Sequence, residues 1–253
     1  MLSILSHIAD NLTGDALGRS GELEKRLIAR RDIDRMLDIG CNDGMLTIET
    51  AEIAGAHEIH GIESSESRRI EAEKRGITCA SHFPSEYDNG FFDLIVSSRT
   101  LGSTSDVRAY LEECHRCLAV GGQIIIITRN GASWANIGAL LLGWQPFSTS
   151  DFDGFTAGNP IAGFLRDSHM TEQEGNTVAG NDHGSLSPLG IRDLMEKVGF
   201  RNIKTYTRGW LPLWGFVSDL LCWFDRRHGH ILIASGFKKA DIWNQPFSRK
   251  DVS

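Results

Sequence analysis

The sequence has no uninterrupted run of about 20 uncharged apolar residues, the length that a membrane-spanning helix needs. It is also short of positive charge. Against 33 Asp and Glu there are only 26 Lys and Arg, and the net charge of −7 argues against a broad nucleic-acid-binding surface. The apolar start, residues 1–9, is short and carries no Lys or Arg, unlike a signal peptide. We therefore predict a cytoplasmic protein with no transmembrane segment and no nucleic-acid partner.

Cysteine is sparse, and its five residues are an odd number scattered through predicted strands and helices. Cys114 and Cys117 have the spacing of half a zinc site, but no second pair stands elsewhere, and a structural zinc site needs four ligands. We predict buried or semi-buried thiols and no metal. With 253 residues and 41% hydrophobic content, the chain fits a single domain over 1–253, opened by an N-terminal helical segment over 1–34.

The most informative residues form a glycine-containing turn, DIGCNDG at 38–44, between an apolar pair and a helical pattern that starts at Met45. Glycine tolerates positive φ, and asparagine enters the left-handed region more readily than most residues. A dinucleotide-binding loop has the pattern G-x-G-x-x-G. Counting from Gly40, Asn42 and Met45 occupy the other two glycine positions. The spacing therefore disfavours a pyrophosphate cradle.

Supporting signals follow the turn in order. A second predicted strand over 57–62 ends at Glu63, where a carboxylate about twenty residues past the turn can accept both ribose hydroxyl protons. The alternative is that Glu63 is a solvated charge at the start of the next helix. Further strands are predicted over 92–96 and 123–128. A late helix opens at Ser187 with a cap residue and a proline at its first position.

This order of motifs resembles the class I S-adenosylmethionine-dependent methyltransferases, within them a small-molecule group that includes MetW-like proteins. The resemblance covers roughly residues 35–130 and 183–238. It implies an α/β fold: a Rossmann-like, seven-stranded, mostly parallel sheet with helices on both faces and the last strand antiparallel. It also implies that S-adenosyl-L-methionine is the cofactor and that the glycine turn cradles the amino-acid part and ribose of that cofactor.

The resemblance places one set of residues around the cofactor: Asp38, Gly40, Cys41, Asn42, Asp43, Gly44, Glu63, Ser64, Ser81, His82, Ser97 and Arg99. The chain departs from the family after the third strand, where Ser81 and His82 replace the acidic residue that often accepts from the adenine amino group. Arg99 has two alternatives, an acceptor carboxylate or phosphate, or a surface ion pair.

Residues 131–186 form a long insertion after the fifth predicted strand, apolar at first and then rich in Gly, Ser and Asn. We predict an acceptor-binding cap, part helix and part mobile lid; the alternative is a disordered surface excursion. His183 lies where the insertion rejoins the core. It is the candidate catalytic base for an acceptor hydroxyl, or else it orders the lid by hydrogen bonding.

The predicted function is methyl transfer from S-adenosylmethionine to a small-molecule acceptor. The methylated group is expected to be a hydroxyl of a sugar, a lipid-linked molecule or a secondary metabolite. One alternative is a methyltransferase-like regulatory partner that binds the cofactor without turnover; a nicotinamide-dependent oxidoreductase is disfavoured by the glycine spacing. Residues 210–224 are dense in Trp and large apolar side chains. That segment covers the core, or forms a dimer face or a peripheral membrane contact.

Overall fold

A seven-stranded sheet forms the centre of the computed structural model, which describes residues 23–29, 32–82, 87–98, 100–104, 106–152, 155–162, 185–209 and 224–239. The strands in the described part of the chain are β1 Ile33–Ile39, β2 Ala56–Ile62, β3 Thr78–Ala80, β4 Phe92–Ser98, β5 Leu118–Arg129, β6 Asp151–Phe152, β7 Phe155–Thr156, β8 Phe200–Arg208 and β9 Ile231–Lys238. The helices with both ends among the described residues are α1 Met45–Ala54, α2 Glu66–Lys74, α3 Val107–Cys117, α4 Trp134–Leu141 and α5 Pro188–Val198.

The strand order in the sheet is β3-β2-β1-β4-β5-β9-β8, and β6 pairs with β7 in a separate hairpin. Strands β1 to β5 are parallel, whereas β9 runs antiparallel to both of its neighbours, β5 and β8. This confirms the predicted fold class. Since β1 lies between β2 and β4, the strand order reverses there. The carboxyl ends of β1 and β4 therefore flank the crevice where ligands bind in open α/β sheets.

The isoleucine run of β5 shows why the sequence of a central strand is continuously apolar over several residues. Ile124 and Ile126 belong to the core that contains buried residues of α3 and α5, while Ile125 and Ile127 belong to the core on the α1 side. All four side chains are buried, because helices cover both faces of the sheet. The isoleucine run therefore shows no alternation of apolar and polar residues.

Strand β5 begins five residues earlier than the predicted boundary at Gln123. Leu118 already pairs with Phe92, and the register then shifts before Leu94. A Cβ on Gly122 would lie 2.8 Å from the Ala119 carbonyl oxygen. Gly122 therefore lies within an irregular part of the strand and not before its start. The Gln123 side chain donates to the Leu27 carbonyl and to Ser235 Oγ, and thereby ties the N-terminal segment to β5 and β9.

The two thiols of the Cys-x-x-Cys spacing are fully buried on α3, which confirms their interpretation as buried thiols. The pKa of Cys117 is raised to about 11, mainly by burial. Burial also raises the pKa of Cys114. Among the described helices, none has the length and apolarity to cross a bilayer. Between β5 and α5 the described parts comprise α4, a 3₁₀ turn at Phe147–Thr149 and the β6–β7 hairpin. Residues 163–184 and 210–223 lie outside the described residues, so the lid and the apolar contact segment stay predictions.

Candidate functional site

The glycine turn at residues 40–44 is fixed to the ends of the neighbouring strands. The N–H groups of Gly40 and Cys41 both donate to the Ile62 carbonyl at the end of β2, at 2.8 and 3.1 Å. From beyond β4, Thr100 Oγ1 donates to the Ile39 carbonyl at 2.8 Å. The turn is therefore a rigid element at the β1–β4 crevice.

Two glycines of the turn adopt left-handed backbone angles, and each also makes room for protein atoms. Gly44 has φ of 82°, and a Cβ there would lie 2.5 Å from Ile77 Cδ1 and 3.1 Å from Ala72 Cα. Gly40 has φ of 88°, and a Cβ there would lie 2.6 Å from Thr100 Oγ1. At both positions the absence of a Cβ has a packing role. In the structure it lets α2 and the segment after β4 pack against the turn.

Glu63 directly follows β2 and holds its carboxylate beside the turn. One oxygen accepts from the Asn42 N–H at 3.2 Å, the other from the Ser65 N–H at 2.8 Å, and the residue is only 8% exposed. A carboxylate has about four lone-pair positions. The Ser64 hydroxyl is a third, long donor at 3.5 Å. When it turns away, two positions remain for further donors, which is the number that a ribose diol supplies.

Asp38, the last acidic residue of β1, has one unsatisfied oxygen. Its Oδ2 accepts from Thr47 Oγ1 at 2.6 Å, whereas Oδ1 is buried and has no hydrogen-bond partner in the described part of the chain. Burial raises the pKa of Asp38 to about 6, although the Thr47 hydrogen bond opposes the shift. A buried carboxylate oxygen without a partner is costly, so a cation or a water molecule at this place would stabilise it.

A second buried carboxyl, Glu24, lies close enough to Asp38 for their charges to interact. Burial, followed by the charge of Asp38, raises the pKa of Glu24 to about 8, while Lys25 and the Thr50 hydrogen bond act in the opposite direction. Folded Glu24 therefore keeps a proton between about pH 4.5 and 8 that the unfolded chain releases. Because the folded state binds more protons in this window, rising pH lowers the free energy of unfolding.

We expect Glu24→Gln to raise the melting temperature at pH 8.5 and to have little effect at pH 5. The gain in unfolding free energy at high pH is at most roughly 5 kcal/mol, since one pKa unit corresponds to about 1.4 kcal/mol. Thermal unfolding at both pH values measures it. The matched control is Glu49→Gln, which removes an exposed carboxylate 2.9 Å from Lys25. An equal shift at both pH values would contradict the burial argument.

Two predicted cofactor residues turn their side chains into the protein. Cys41 is 3% exposed, and its sulfur occupies the space where Gly61 lacks a Cβ. Burial is the first cause that raises the pKa of this thiol. Ser97 is fully buried, and its hydroxyl accepts from Tyr110 at 2.7 Å. A direct side-chain contact between Ser97 and a ligand does not fit this geometry; Ser97 supports the crevice from beneath.

The other predicted residues lie at the rim of the turn. Asp43 is held from outside by Arg75, which donates to its carbonyl at 2.8 Å and to its carboxylate at 3.3 Å. Ser64 is exposed directly after Glu63. Ser81 and His82 are exposed after β3 and are joined by a 2.9 Å hydrogen bond. Arg99 and His183 lie outside the described residues, so their roles stay predictions.

On the far side of β4, a cleft of about 470 Å³ opens beside the end of β5. The described part of its lining contains no charged side chain and consists of Gly131, Ala132, Pro146, Ser148, Thr149, Ser185, Leu186, Ser187 and Gly190. Buried Asn136 holds this wall, since its side chain donates to Ser148 Oγ at 2.9 Å and to the Asn130 carbonyl at 3.0 Å. The cleft suits an uncharged, hydroxyl-bearing group.

Sequence reasoning missed an acid–histidine pair near the same edge of the sheet. Asp225 and His228, in the turn before β9, lie 2.8 Å apart, and Trp134 on α4 donates to the same carboxylate. Trp134 and Asp225 are 91 residues apart, so no local pattern could have joined them. Among the described residues, no group of His, Cys, Asp and Glu is arranged to hold a metal ion.

Comparison with known families decides the assignment: a model of the methyltransferase domain matches residues 18–205. The chain belongs to this methyltransferase family. With the sheet order above, this confirms the predicted class I, S-adenosylmethionine-dependent type. A ubiquinone biosynthesis O-methyltransferase from Paramagnetospirillum magneticum is 28% identical over 151 residues, which is 55% of this chain and 60% of that protein. The methyltransferase thus spans about 60% of that relative's length.

Two further similarities agree with the family. A ubiquinone biosynthesis O-methyltransferase from Parvibaculum lavamentivorans is 27% identical over 181 residues, covering 65% of this methyltransferase and 71% of the relative. A solved methyltransferase structure from Thermotoga maritima superposes with a TM-score of 0.54 at 18% identity, over 92% of this chain and 99% of the other. At that identity the structural likeness supports the fold alone.

Proposed function

We propose that this methyltransferase moves the methyl group of S-adenosylmethionine to a hydroxyl of a small molecule, such as a sugar, a lipid-linked compound or a secondary metabolite. The oxygen preference draws support from the relatives named O-methyltransferases. The uncharged cleft beside β5 is the proposed place for the acceptor. Residues 210–224 stay a proposed contact with a second copy or a membrane surface.

The observation that carries the proposal is the pair of carboxylates at the glycine turn. Beside its two backbone donors, Glu63 has two lone-pair positions for a diol once the Ser64 hydroxyl turns away. Asp38 has an oxygen with no partner among the described residues, which an ammonium could contact. These are the donor groups of the ribose and of the amino-acid part of the cofactor. The residues present therefore fit S-adenosylmethionine. Ser81 and His82, exposed beyond β3, are the proposed adenine side of the site.

The bound cofactor supplies a methyl carbon that its sulfonium already makes electrophilic. The protein's part is then alignment of the acceptor, exclusion of water and acceptance of a proton. The turn and Glu63 supply a rigid frame for alignment, since their backbone hydrogen bonds are made within the protein. His183 remains the proposed base or lid-ordering residue.

We expect Glu63→Gln to weaken the binding of S-adenosylhomocysteine by roughly 10- to 150-fold, or about 1.5–3 kcal/mol. The amide N–H₂ group replaces one carboxylate oxygen and faces the backbone N–H that donates to that oxygen. The amide also removes the charge that a diol would bind. Calorimetry measures the affinity. The control is Glu66→Gln, an exposed carboxylate in the first turn of α2. Unchanged affinity in Glu63→Gln would remove the ribose assignment.

Turnover separates the enzyme from a regulatory partner. S-adenosylhomocysteine formation is followed with phenolic, sugar and lipid-linked hydroxyl compounds, one class at a time. Methyl transfer to any class supports the proposal and names the acceptor chemistry. Cofactor binding without turnover in every class would instead favour a cofactor-binding regulatory protein.

A further inference from the structure

The turn at residues 225–230 lies at the carboxyl edge of the parallel strands. It leads into β9, whose first residue, Ile231, pairs with Arg129, the last residue of β5. Buried Asn130 fixes the turn to β5, since its side chain donates to the carbonyls of Arg227 at 2.8 Å and Gly229 at 2.7 Å. The glycine turn that would hold the cofactor lies at the same edge. The turn before β9 is thus a rigid part of the ligand-binding edge.

Three donors fix the Asp225 carboxylate: Trp134 Nε1 at 2.8 Å, the Arg227 N–H at 3.1 Å and His228 Nδ1 at 2.8 Å. Burial alone would raise the pKa of Asp225, but these hydrogen bonds outweigh it and lower the pKa. Asp225 is therefore ionised near neutral pH. An ionised carboxylate at Nδ1 holds the proton on that nitrogen, which leaves His228 Nε2 as an acceptor.

The surroundings of His228 suit an organic acceptor. Its side chain is 30% exposed, and the half-exposed Trp134 ring lies 5.0 Å from its own ring, centre to centre. The Trp134 backbone N–H also donates to the His228 carbonyl at 3.1 Å. The Trp134 ring and the His228 imidazole therefore keep a fixed relative position. An aromatic wall beside a partly exposed acceptor nitrogen is what a planar hydroxylated molecule could contact.

The charges around His228 come from several elements. Asp225 faces it within the turn, and Arg226 and Arg227 are exposed on the same turn. Arg129 and Arg208, the last residues of β5 and β8, both pair in register with Ile231. His230 follows on the other side of Gly229. Among the described residues of this turn and of the ends of β5 and β8, the charged side chains other than Asp225 are cationic, which favours an acceptor oxygen that gains negative charge.

We propose that His228, positioned by Asp225 and Trp134, is the general base that accepts the acceptor's hydroxyl proton; this rests on the proposed function and leaves His183 the lid-ordering role. As the O–H bond breaks, the proton passes to His228 Nε2. The acceptor oxygen forms a bond to the methyl carbon, and the electron pair of the broken carbon–sulfur bond stays on sulfur, giving S-adenosylhomocysteine. His228 later returns the proton to water. His228 is the catalytic residue, and Asp225 and Trp134 are positioning residues.

The acidity of the hydroxyl decides which probe is suitable. The ordinary pKa of histidine lies about 3.5 units below that of a phenol and about 9 units below that of water, the parent of aliphatic hydroxyls. Imidazole therefore removes a phenolic proton far more readily. A dihydroxybenzoate is the phenolic probe, and a simple sugar is the aliphatic comparison.

The test compares wild type with His228→Gln, Asp225→Asn and Trp134→Phe in methyl transfer to the dihydroxybenzoate from pH 5.5 to 9. The matched control is His57→Gln. His57, in β2, forms an exposed pair at 3.1 Å with Asp32, which precedes β1. The pair lies at the opposite edge of the sheet. We expect His228→Gln to lower kcat by roughly 10²–10⁴ and to flatten the dependence of the rate on pH. His57→Gln should match wild type.

Affinity for S-adenosylhomocysteine should stay within about threefold in all variants, which separates this proposal from the cofactor site. Asp225→Asn and Trp134→Phe should lower kcat less and shift the pH profile, an effect that a merely structural role would not give. They also decide the matter if melting curves show that His228→Gln is unfolded. Wild-type turnover with an unchanged pH profile in the His228 or Asp225 variant would overturn the base proposal alone. A wild type that binds the cofactor but methylates no probe would overturn the proposed function and the base together.

Discussion

Gly44→Ala is expected to lose most of the cofactor affinity and to destabilise the fold by about 2–5 kcal/mol. A left-handed φ costs a residue with a Cβ about 1–2 kcal/mol, and an overpacked contact about 1–3 kcal/mol more. Both apply here, because φ is 82° and the new Cβ would meet Ile77 Cδ1 at 2.5 Å and Ala72 Cα at 3.1 Å. The isoleucine tip can rotate away, but Ala72 Cα is part of α2. The turn must therefore move, and the N–H of Asn42 would leave Glu63.

Gly76→Ala is the matched control for this prediction. Gly76 has φ of 88°, but a Cβ there would meet no atom within 4 Å, so only the cost of the backbone angle remains. Melting curves and calorimetry with S-adenosylhomocysteine on both variants separate conformational strain from packing. We expect Gly76→Ala to lose about 1–2 kcal/mol of stability and to keep its affinity. Equal losses in the two variants would show that packing of α2 against the turn is unimportant.

Asp38→Asn is expected to weaken cofactor binding about 10- to 150-fold at pH 8, the range for a charge-assisted hydrogen bond. Ionised Asp38 offers an unpartnered Oδ1 to the cofactor ammonium in the proposed site. Because burial raises its pKa to about 6, wild-type affinity should rise as pH increases through 6 and the carboxylate forms. The asparagine variant should lack this rise. Glu24 is the neighbouring acid, and its pKa of about 8 leaves it mostly protonated in that range.

Calorimetry at pH 5, 6.5 and 8 tests the Asp38 prediction. In buffers of different ionisation enthalpy, the wild type should release protons on binding near pH 6, and the variant should release fewer. The control is Asp34→Asn, an exposed aspartate near the other end of β1. Loss of affinity in both variants, or a pH slope that survives in Asp38→Asn, would assign the effect to something other than this carboxylate.

The parts of the molecule that sequence predicted are those with local signals. A strand, a glycine turn and a helix follow one another at 33–54, and the Ser187 cap with its proline marks α5. The isoleucines of β5 revealed a strand that is covered on both faces. In each case the residues that carry the signal are neighbours in the chain, so spacing alone sufficed.

What sequence could not predict depends on contacts between distant residues. The charge interaction between Glu24 and Asp38 and the Trp134–Asp225 hydrogen bond each join parts of the chain that only the fold brings together. The early start of β5 follows from the pairing of Leu118 with Phe92, and the orientation of Ser97 follows from Tyr110. Such contacts depend on the whole sheet, and no local propensity reports them.

The position of β9 between β5 and β8 has a consequence for the nascent chain. Residues 123–129 find their pairing partners only at 231–237, roughly a hundred residues later in synthesis. Until that strand emerges, β5 exposes an unpaired edge with four consecutive isoleucines, the kind of segment that aggregates with other chains. A ribosome-bound intermediate that ends before β9 should therefore depend on chaperones, and the acceptor side of the site would be completed last.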